Sequence, residues 1–221
     1  MQRITFMPNK KTITTPEKQT ERVVRLSKLS QILPFLLLIG GIIGFVSSFV
    51  ITYDKMKLLE NPHYVPSCNL NPIISCGSVM SSKQGAAFGF PNPWIGLAAF
   101  SVLITIAVSM WAGARFKRWF WLGLEAGTLF GVGFVHWLFY ESVYTIRALC
   151  PWCMAVWFVT ITLFWYVTLY NLQSGNIRLP SRLKVIETFI IRHHLDIYIL
   201  WLLVIAGLIL KHFWYYYGRN F

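Results

Sequence analysis

The sequence predicts an all-α integral membrane protein that crosses the bilayer five times. Two observations carry this. The 221 residues are 56% hydrophobic and only 13% charged, where a soluble domain carries about a quarter charged residues. Five apolar stretches are also long enough to cross about 30 Å of hydrocarbon at about 20 residues each. They run over 31–51, 93–113, 119–140, 151–170 and 195–214. The head before the first is too long and polar for a secretory signal, so the first span is read as retained.

The formal net charge is +12. The basic residues lie between the apolar runs rather than along one face, which argues against nucleic acid as a partner. Their distribution sets an orientation instead. Residues 1–29 hold seven Lys or Arg, 114–119 three and 171–192 four, whereas the alternate segments hold three, one and two. Fourteen against six places the N-terminus in the cytoplasm and the C-terminus outside. The expected organisation is a basic cytoplasmic tail over 1–30, solvated and drawn to anionic lipid in the bilayer. A helical unit follows over 31–172 with an outer loop at 53–92, then a cytoplasmic loop at 173–194. A fifth helix and short outer tail fill 195–221.

This orientation puts all four cysteines on the outer, oxidising side, where disulfides persist. They form one tight pair and one loose pair. Cys150 and Cys153 lie in "LCPWCMAVW", at the mouth of the fourth span. Pro151 suits the first turn of a helix, where its missing N–H is no loss. The i, i+3 spacing puts both sulfurs on one face, and a helix N-terminus favours a thiolate. Three residues of helical rise set Cys153 about 4.5 Å deeper than Cys150, a geometry suited to a relay from a water-side reductant to a membrane quinone. A metal site and a helix-end staple are the other readings of this spacing. Metal ligation lacks partners, since His63 is the only histidine near the outer cysteines in sequence and a C-x7-C pair is poor ligand spacing.

Cys68 and Cys76 flank "NLNPIIS", where Asn69, Asn71 and Pro72 read as a turn. A disulfide here closes a small loop and stabilises only modestly. The pair is therefore read as exposed on a mobile loop, suited to exchange with an incoming thiolate. The following "GSVMSSKQGAAFGF" is too short to span and reads as a half-helix over the bundle mouth, holding Cys76 near the C-P-W-C face. Electrons then run from a partner dithiol to Cys68/Cys76, on to Cys150/Cys153, and into quinone. The spacing does not fix which disulfide exists at rest.

The order C-x7-C, then "GSVMSSKQG", then "FGFPNPWIG", then "LCPWCMAVW" resembles the vitamin K epoxide reductase family in its bacterial disulfide-forming branch. The resemblance covers roughly 31–172. It implies a four-helix bundle around a quinone (menaquinone or ubiquinone) in a bacterial plasma membrane, with Cys153 meeting the quinone ring and Cys150 as its partner. It further implies that Cys68 exchanges with the redox partner and Cys76 with Cys150. Asn92 aligns with an asparagine that hydrogen-bonds a quinone carbonyl. Trp157 stands where vertebrate members carry tyrosine, and its indole N–H retains a donor. Ser82 aligns with a half-helix serine, read as a cap. The chain stops after the fifth span, so the thiol partner is expected to be a separate extracytoplasmic thioredoxin-like (DsbA-type) protein. Vitamin K epoxide reduction is the alternative within the same class.

Three other features stand out. Glu125, inside the third span, is read as a bundle-interior hydrogen-bonding group far from the cysteines. His136, nearer the outer end of that span, reads either as a quinone contact or proton shuttle or as a satisfied interior histidine. Gly127, Gly131 and Gly133 are expected to let helices approach closely. Two rival classes remain: a membrane protein binding or transporting metal through its thiolates, and a structural membrane component with two inert disulfides.

Overall fold

The computed structural model describes residues 16–217, with side chains from residue 29 onward except at 181, 215 and 217. Residues 1–15 of the expected basic tail, and 218–221, lie outside the described residues. Among the described residues the protein is all-α, with five helices long and apolar enough to cross a membrane.

α1 (Pro16–Glu60) is longer than the first apolar run at both ends: part of the expected solvated tail is helical from Pro16. It stops at Glu60, just before Asn61, because Pro62 drives the residue ahead of it out of the helical region. The half-helix expected after Cys76 is instead two pieces: α2 (Cys76–Ser81) and a 3₁₀ turn (Lys83–Ala86). Ser82 divides them with an extended backbone and serves both. Its hydroxyl donates to Val79 O at 2.7 Å and accepts from Gly85 N at 3.2 Å. α3 (Pro93–Trp111) starts with Pro93 in its first turn and ends beside Gly113, whose φ of +87° suits a residue without Cβ. α4 (Arg118–Tyr140) runs into a π-helical turn over Glu141–Ile146, closed by Arg147 in the left-handed region at φ 57°. α5 (Pro151–Gln173) begins at the C-P-W-C segment. A further helix, α6 (Lys184–Arg192), occupies the loop read as irregular, and α7 (His194–Tyr217) is the fifth span.

α1 is the hub. It packs against α3 and α5, and α4 packs on α5. Leu33 and Leu37 of α1 meet Phe100, Leu103 and Ile106 of α3 and Leu163 and Val167 of α5 in the main core. The tightest approaches come from glycines on α1, and of the three expected on α4 Gly131 alone packs closely. A Cβ on Gly41 would sit 2.7 Å from the Ile104 side chain, and one on Gly44 would collide with the Phe100 ring. A Cβ on Gly131 would sit 3.2 Å from the Thr160 side chain of α5, whereas Gly127 and Gly133 face open space. Gly127 and Gly131 also line a cavity.

α7 lies outside this bundle with most of its apolar surface exposed. Three polar contacts fix its register. Tyr198 and Thr162 hydroxyls are 2.7 Å apart, Trp201 Nε1 donates to His136 Nε2 at 3.0 Å, and Trp165 Nε1 donates to His194 O at 3.1 Å. Phe213, fully buried beside Val143, anchors the far end.

Candidate active site at the cysteine end of the bundle

The loop between α1 and α2 is built around asparagine side chains. Asn71 Oδ1 accepts from the backbone N–H of Ile73 at 3.0 Å and Ile74 at 2.7 Å, closing a turn. Asn69 Oδ1 accepts from Gly77 N at 2.9 Å, and Ser75 Oγ caps α2 by accepting from Ser78 N. Within this frame Cys68 and Cys76 are joined as a disulfide with Cα atoms 5.7 Å apart. The exposed pair expected from the sequence is in fact buried, Cys68 at 8% and Cys76 at 0% exposure. Polar turn residues here fold inward onto the loop backbone, and apolar side chains close over the sulfurs.

A single parallel bridge then ties this loop to the approach to α5. Leu149 N donates to Ile73 O at 2.7 Å, and Ser75 N donates to Leu149 O at 2.9 Å. The bridge brings Cys76, just past Ser75, and Cys150, just past Leu149, to the same place. Both are fully buried in one cluster with Cys68, Ile51 and Met80, and Cys153 packs against it.

Cys150 and Cys153 are free thiols. Cys150 is the N-cap of α5 in an extended conformation, and Pro151 follows at the first helical position. A hydrogen bond from the Cys153 thiol, with backbone N–H groups of Cys153 and Trp152, holds the Cys150 thiol below its ordinary range; burial and the charge of Asp54 oppose this. The helix-end stabilisation of a thiolate therefore falls on Cys150. The state described, with the loop pair oxidised and the helix-end pair reduced, holds its electrons at the deeper cysteines.

Cys153 opens onto a cavity of about 550 Å³ enclosed by α1, α3, α4 and α5 and roofed by α2. That volume is within the usual range for a small-molecule site. Its walls are mainly apolar, with few polar groups, among them Ser48, Asn92 and Thr160. Asn92 lines it, and its side chain also ties the roof down: Nδ2 donates to Gln84 O at 2.6 Å and Oδ1 accepts from Ala87 N at 2.9 Å. Trp157 lines it one turn below Cys153, steadied edge-on by Phe139 with ring centroids 5.5 Å apart. His136 is not at the cavity. Its Nδ1 lies 2.7 Å from Val132 O and its Nε2 accepts from Trp201, so both ring nitrogens have partners within the protein.

Glu125 takes the structural role read from the sequence. Thr168 Oγ1 donates to its Oε1 at 2.7 Å and Asn171 Nδ2 to its Oε2 at 2.9 Å. Among the described residues no group of three or more His, Cys, Asp or Glu is arranged to hold a metal ion. Two features went unread in the sequence. One is the Ile74–Leu149 bridge. The other is Asp54, buried at 4% exposure on the α1 face that carries Ile51.

Membrane helices, two cysteine pairs gathered at one end and an apolar chamber at the deeper pair define a membrane protein built to exchange disulfides. The sequence model of the vitamin K epoxide reductase family matches residues 35–168. The chain belongs to that family, which makes it a membrane thiol oxidoreductase. A search of curated proteins returned no match.

Proposed function

We propose that this chain oxidises an extracytoplasmic thioredoxin-like dithiol protein and passes the electrons to a membrane quinone, supporting disulfide bond formation in a bacterial plasma membrane. The observation that carries the reading is the shared burial of Cys76 and Cys150, with Cys153 opening onto the apolar cavity. Cys68, the less buried sulfur of the loop pair, is the one a partner thiolate attacks. Cys76 is released and attacks Cys150 of the helix-end disulfide, which frees Cys153. Cys68, once freed by the partner's second cysteine, attacks Cys76 and closes the loop disulfide, leaving both electrons on Cys150 and Cys153. A quinone, when bound, supplies a two-electron, two-proton acceptor.

The residues around the cavity fit such a guest. Apolar walls exclude water, Asn92 keeps its second Nδ2–H after bonding Gln84 O, and the Trp157 indole provides another donor. As the Cys150–Cys153 disulfide re-forms, the two thiols give up two electrons and two protons. The N-terminus, by the Lys/Arg asymmetry, is cytoplasmic and the cysteine end faces outward.

Single-turnover quinone reduction by the purified, pre-reduced chain tests this. Wild type consumes quinone and Cys153→Ala does not. Cys68→Ala does so once but is not recharged by a dithiol protein. Quinone left untouched by wild type overturns the proposal.

A further inference from the structure

Among the described residues, Asp54 is the one buried ionisable side chain at the cysteine end that the relay above leaves unused. It is 4% exposed, and its Oδ2 has no hydrogen-bond partner among the described residues. Burying a carboxylate oxygen without a partner is costly. Its other oxygen is fixed: Tyr64 Oη donates to Oδ1 at 2.9 Å. The helix sets Asp54 on the face that meets the sulfurs. Ile51 and Leu58, three residues before and four after it on α1, both pack in the cluster of Cys68, Cys76 and Cys150. Residues at these spacings share one face of a helix.

The ionisable groups around this carboxylate are few. Lys55, its neighbour on α1, commits its ammonium to Met80 O at 2.7 Å. Tyr64 of the loop occupies Oδ1, α2 presents Cys76 within its disulfide, and the mouth of α5 presents the Cys150 and Cys153 thiols. The charge of Asp54 is felt at Cys150, where it opposes formation of the thiolate. A group that resists a neighbour's charge and has a free acceptor atom is suited to take the proton from that neighbour.

We propose that Asp54 is the proton donor and acceptor for Cys150 in the exchange between the two cysteine pairs. The inference rests on the two-pair relay. When Cys68 thiolate attacks Cys76 of the Cys76–Cys150 disulfide, the Cys68–Cys76 bond forms and the Cys76–Cys150 bond breaks. The electron pair stays on the Cys150 sulfur, and Oδ2 hands on to it the proton that Cys68 gave up on ionising. In the reverse direction the Cys150 thiol gives its proton to Oδ2 as its sulfur attacks Cys76. No outside oxidant or reductant enters either step. Tyr64 is a positioning residue that holds the carboxylate by its other oxygen.

The test mixes full-length oxidised protein in lipid nanodiscs with dithiothreitol, quenches at intervals, alkylates, and counts thiols at each pair by mass spectrometry. Cys76→Ala gives the rate at which dithiothreitol reaches Cys150–Cys153 directly. In Asp54→Asn, reduction of the loop pair keeps its rate, while transfer to Cys150–Cys153 slows about a hundredfold near pH 7. The deficit shrinks above about pH 9, where Cys150 leaves as a thiolate and needs no proton, and Asp54→Glu recovers part of the rate. Equal transfer rates in Asp54→Asn and wild type overturn the assignment, as does one fixed loss at every pH with no recovery in Asp54→Glu. If wild type itself moves no electrons between the pairs, the relay fails and the role of Asp54 with it.

Discussion

Two carboxylates lie near opposite ends of this bundle, Glu125 half-buried and Asp54 buried, and they are treated differently. Glu125 has a donor on each oxygen, from Thr168 and Asn171 of α5. Asn171 is itself fully buried and accepts from Asn176 Nδ2 at 2.9 Å. Asp54 has a donor on one oxygen only, and its other oxygen belongs to the face that meets the cysteines. Position along α5 separates the two sites: Thr168 lies fifteen residues past Cys153, about 22 Å at helical rise. A carboxylate with a donor on each oxygen links helices. A half-bonded one carries a cost that a proton can relieve, so it belongs where protons move.

Replacing the cysteines breaks this contrast most severely. Cys76→Ala leaves the loop without the sulfur that reaches Cys150, so quinone reduction driven by a dithiol protein falls to background. The same variant, pre-reduced at Cys150 and Cys153, still reduces quinone once. Stopped-flow quinone absorbance checks both halves.

Glu125→Ala is the corresponding test at the other end. It removes the α4 acceptor shared by Thr168 and Asn171, which keep only Phe164 O and Trp121 O, at about 1 kcal/mol per lost hydrogen bond. Thermal unfolding in detergent should move down by several degrees, while transfer between the cysteine pairs keeps its rate per folded molecule. A loss of transfer without a loss of stability would end the distinction between the two carboxylates.

Asn71→Ala sharpens the comparison from the loop side. It removes the acceptor for Ile73 and Ile74 N–H and loosens the turn that presents the bridge to Leu149. At about 1 kcal/mol per lost hydrogen bond, transfer between pairs should slow several-fold, with quinone reduction by the pre-reduced helix-end pair unchanged. Rapid quench and alkylation separate the two.

The pH dependence is a smaller effect. Cys150 is held below the ordinary thiol range by its Cys153 hydrogen bond and the first N–H groups of α5. Cys150 is the attacking sulfur in the reverse exchange, and a lowered thiol forms its thiolate at lower pH. Back-transfer from pre-reduced Cys150 to the loop disulfide should therefore rise with pH and level off below about 8.5, the value of an unperturbed cysteine. A rise that continues through 8.5 contradicts this. Smallest of all is Trp201→Phe, which unties α7 from His136 at about 0.6 kcal/mol and should leave quinone reduction unaltered.

The five spans were legible because hydrocarbon thickness imposes a length and a composition that no other element meets. Both cysteine pairs were legible as spacing, and Pro151 marked the start of α5. Ser82 was readable as a cap and Glu125 as an interior group. The Ile74–Leu149 bridge was not, because one pair of residues 75 apart in sequence leaves no periodicity. Burial of Cys68 and Cys76 was misread for a related reason: Asn69, Asn71 and Ser75 look like surface turn residues, yet their side chains bond the loop backbone. Asp54 was missed because α1 continues past the apolar run, so a charge that looked like the start of a loop is inside a helix. The glycines of α4 look alike from spacing alone, yet Gly131 packs against Thr160 while Gly127 and Gly133 face open space.

Disulfide trapping between Cys76 and Cys150 tests the central claim most directly. In the Cys68→Ser/Cys153→Ser double variant these two are the only cysteines left, and mild oxidation in nanodiscs should join them within one chain, seen as a loss of both alkylation sites at monomer mass. Two sulfurs that stay alkylatable, or that link only between molecules, would show that the pairs do not meet and that electrons do not pass this way.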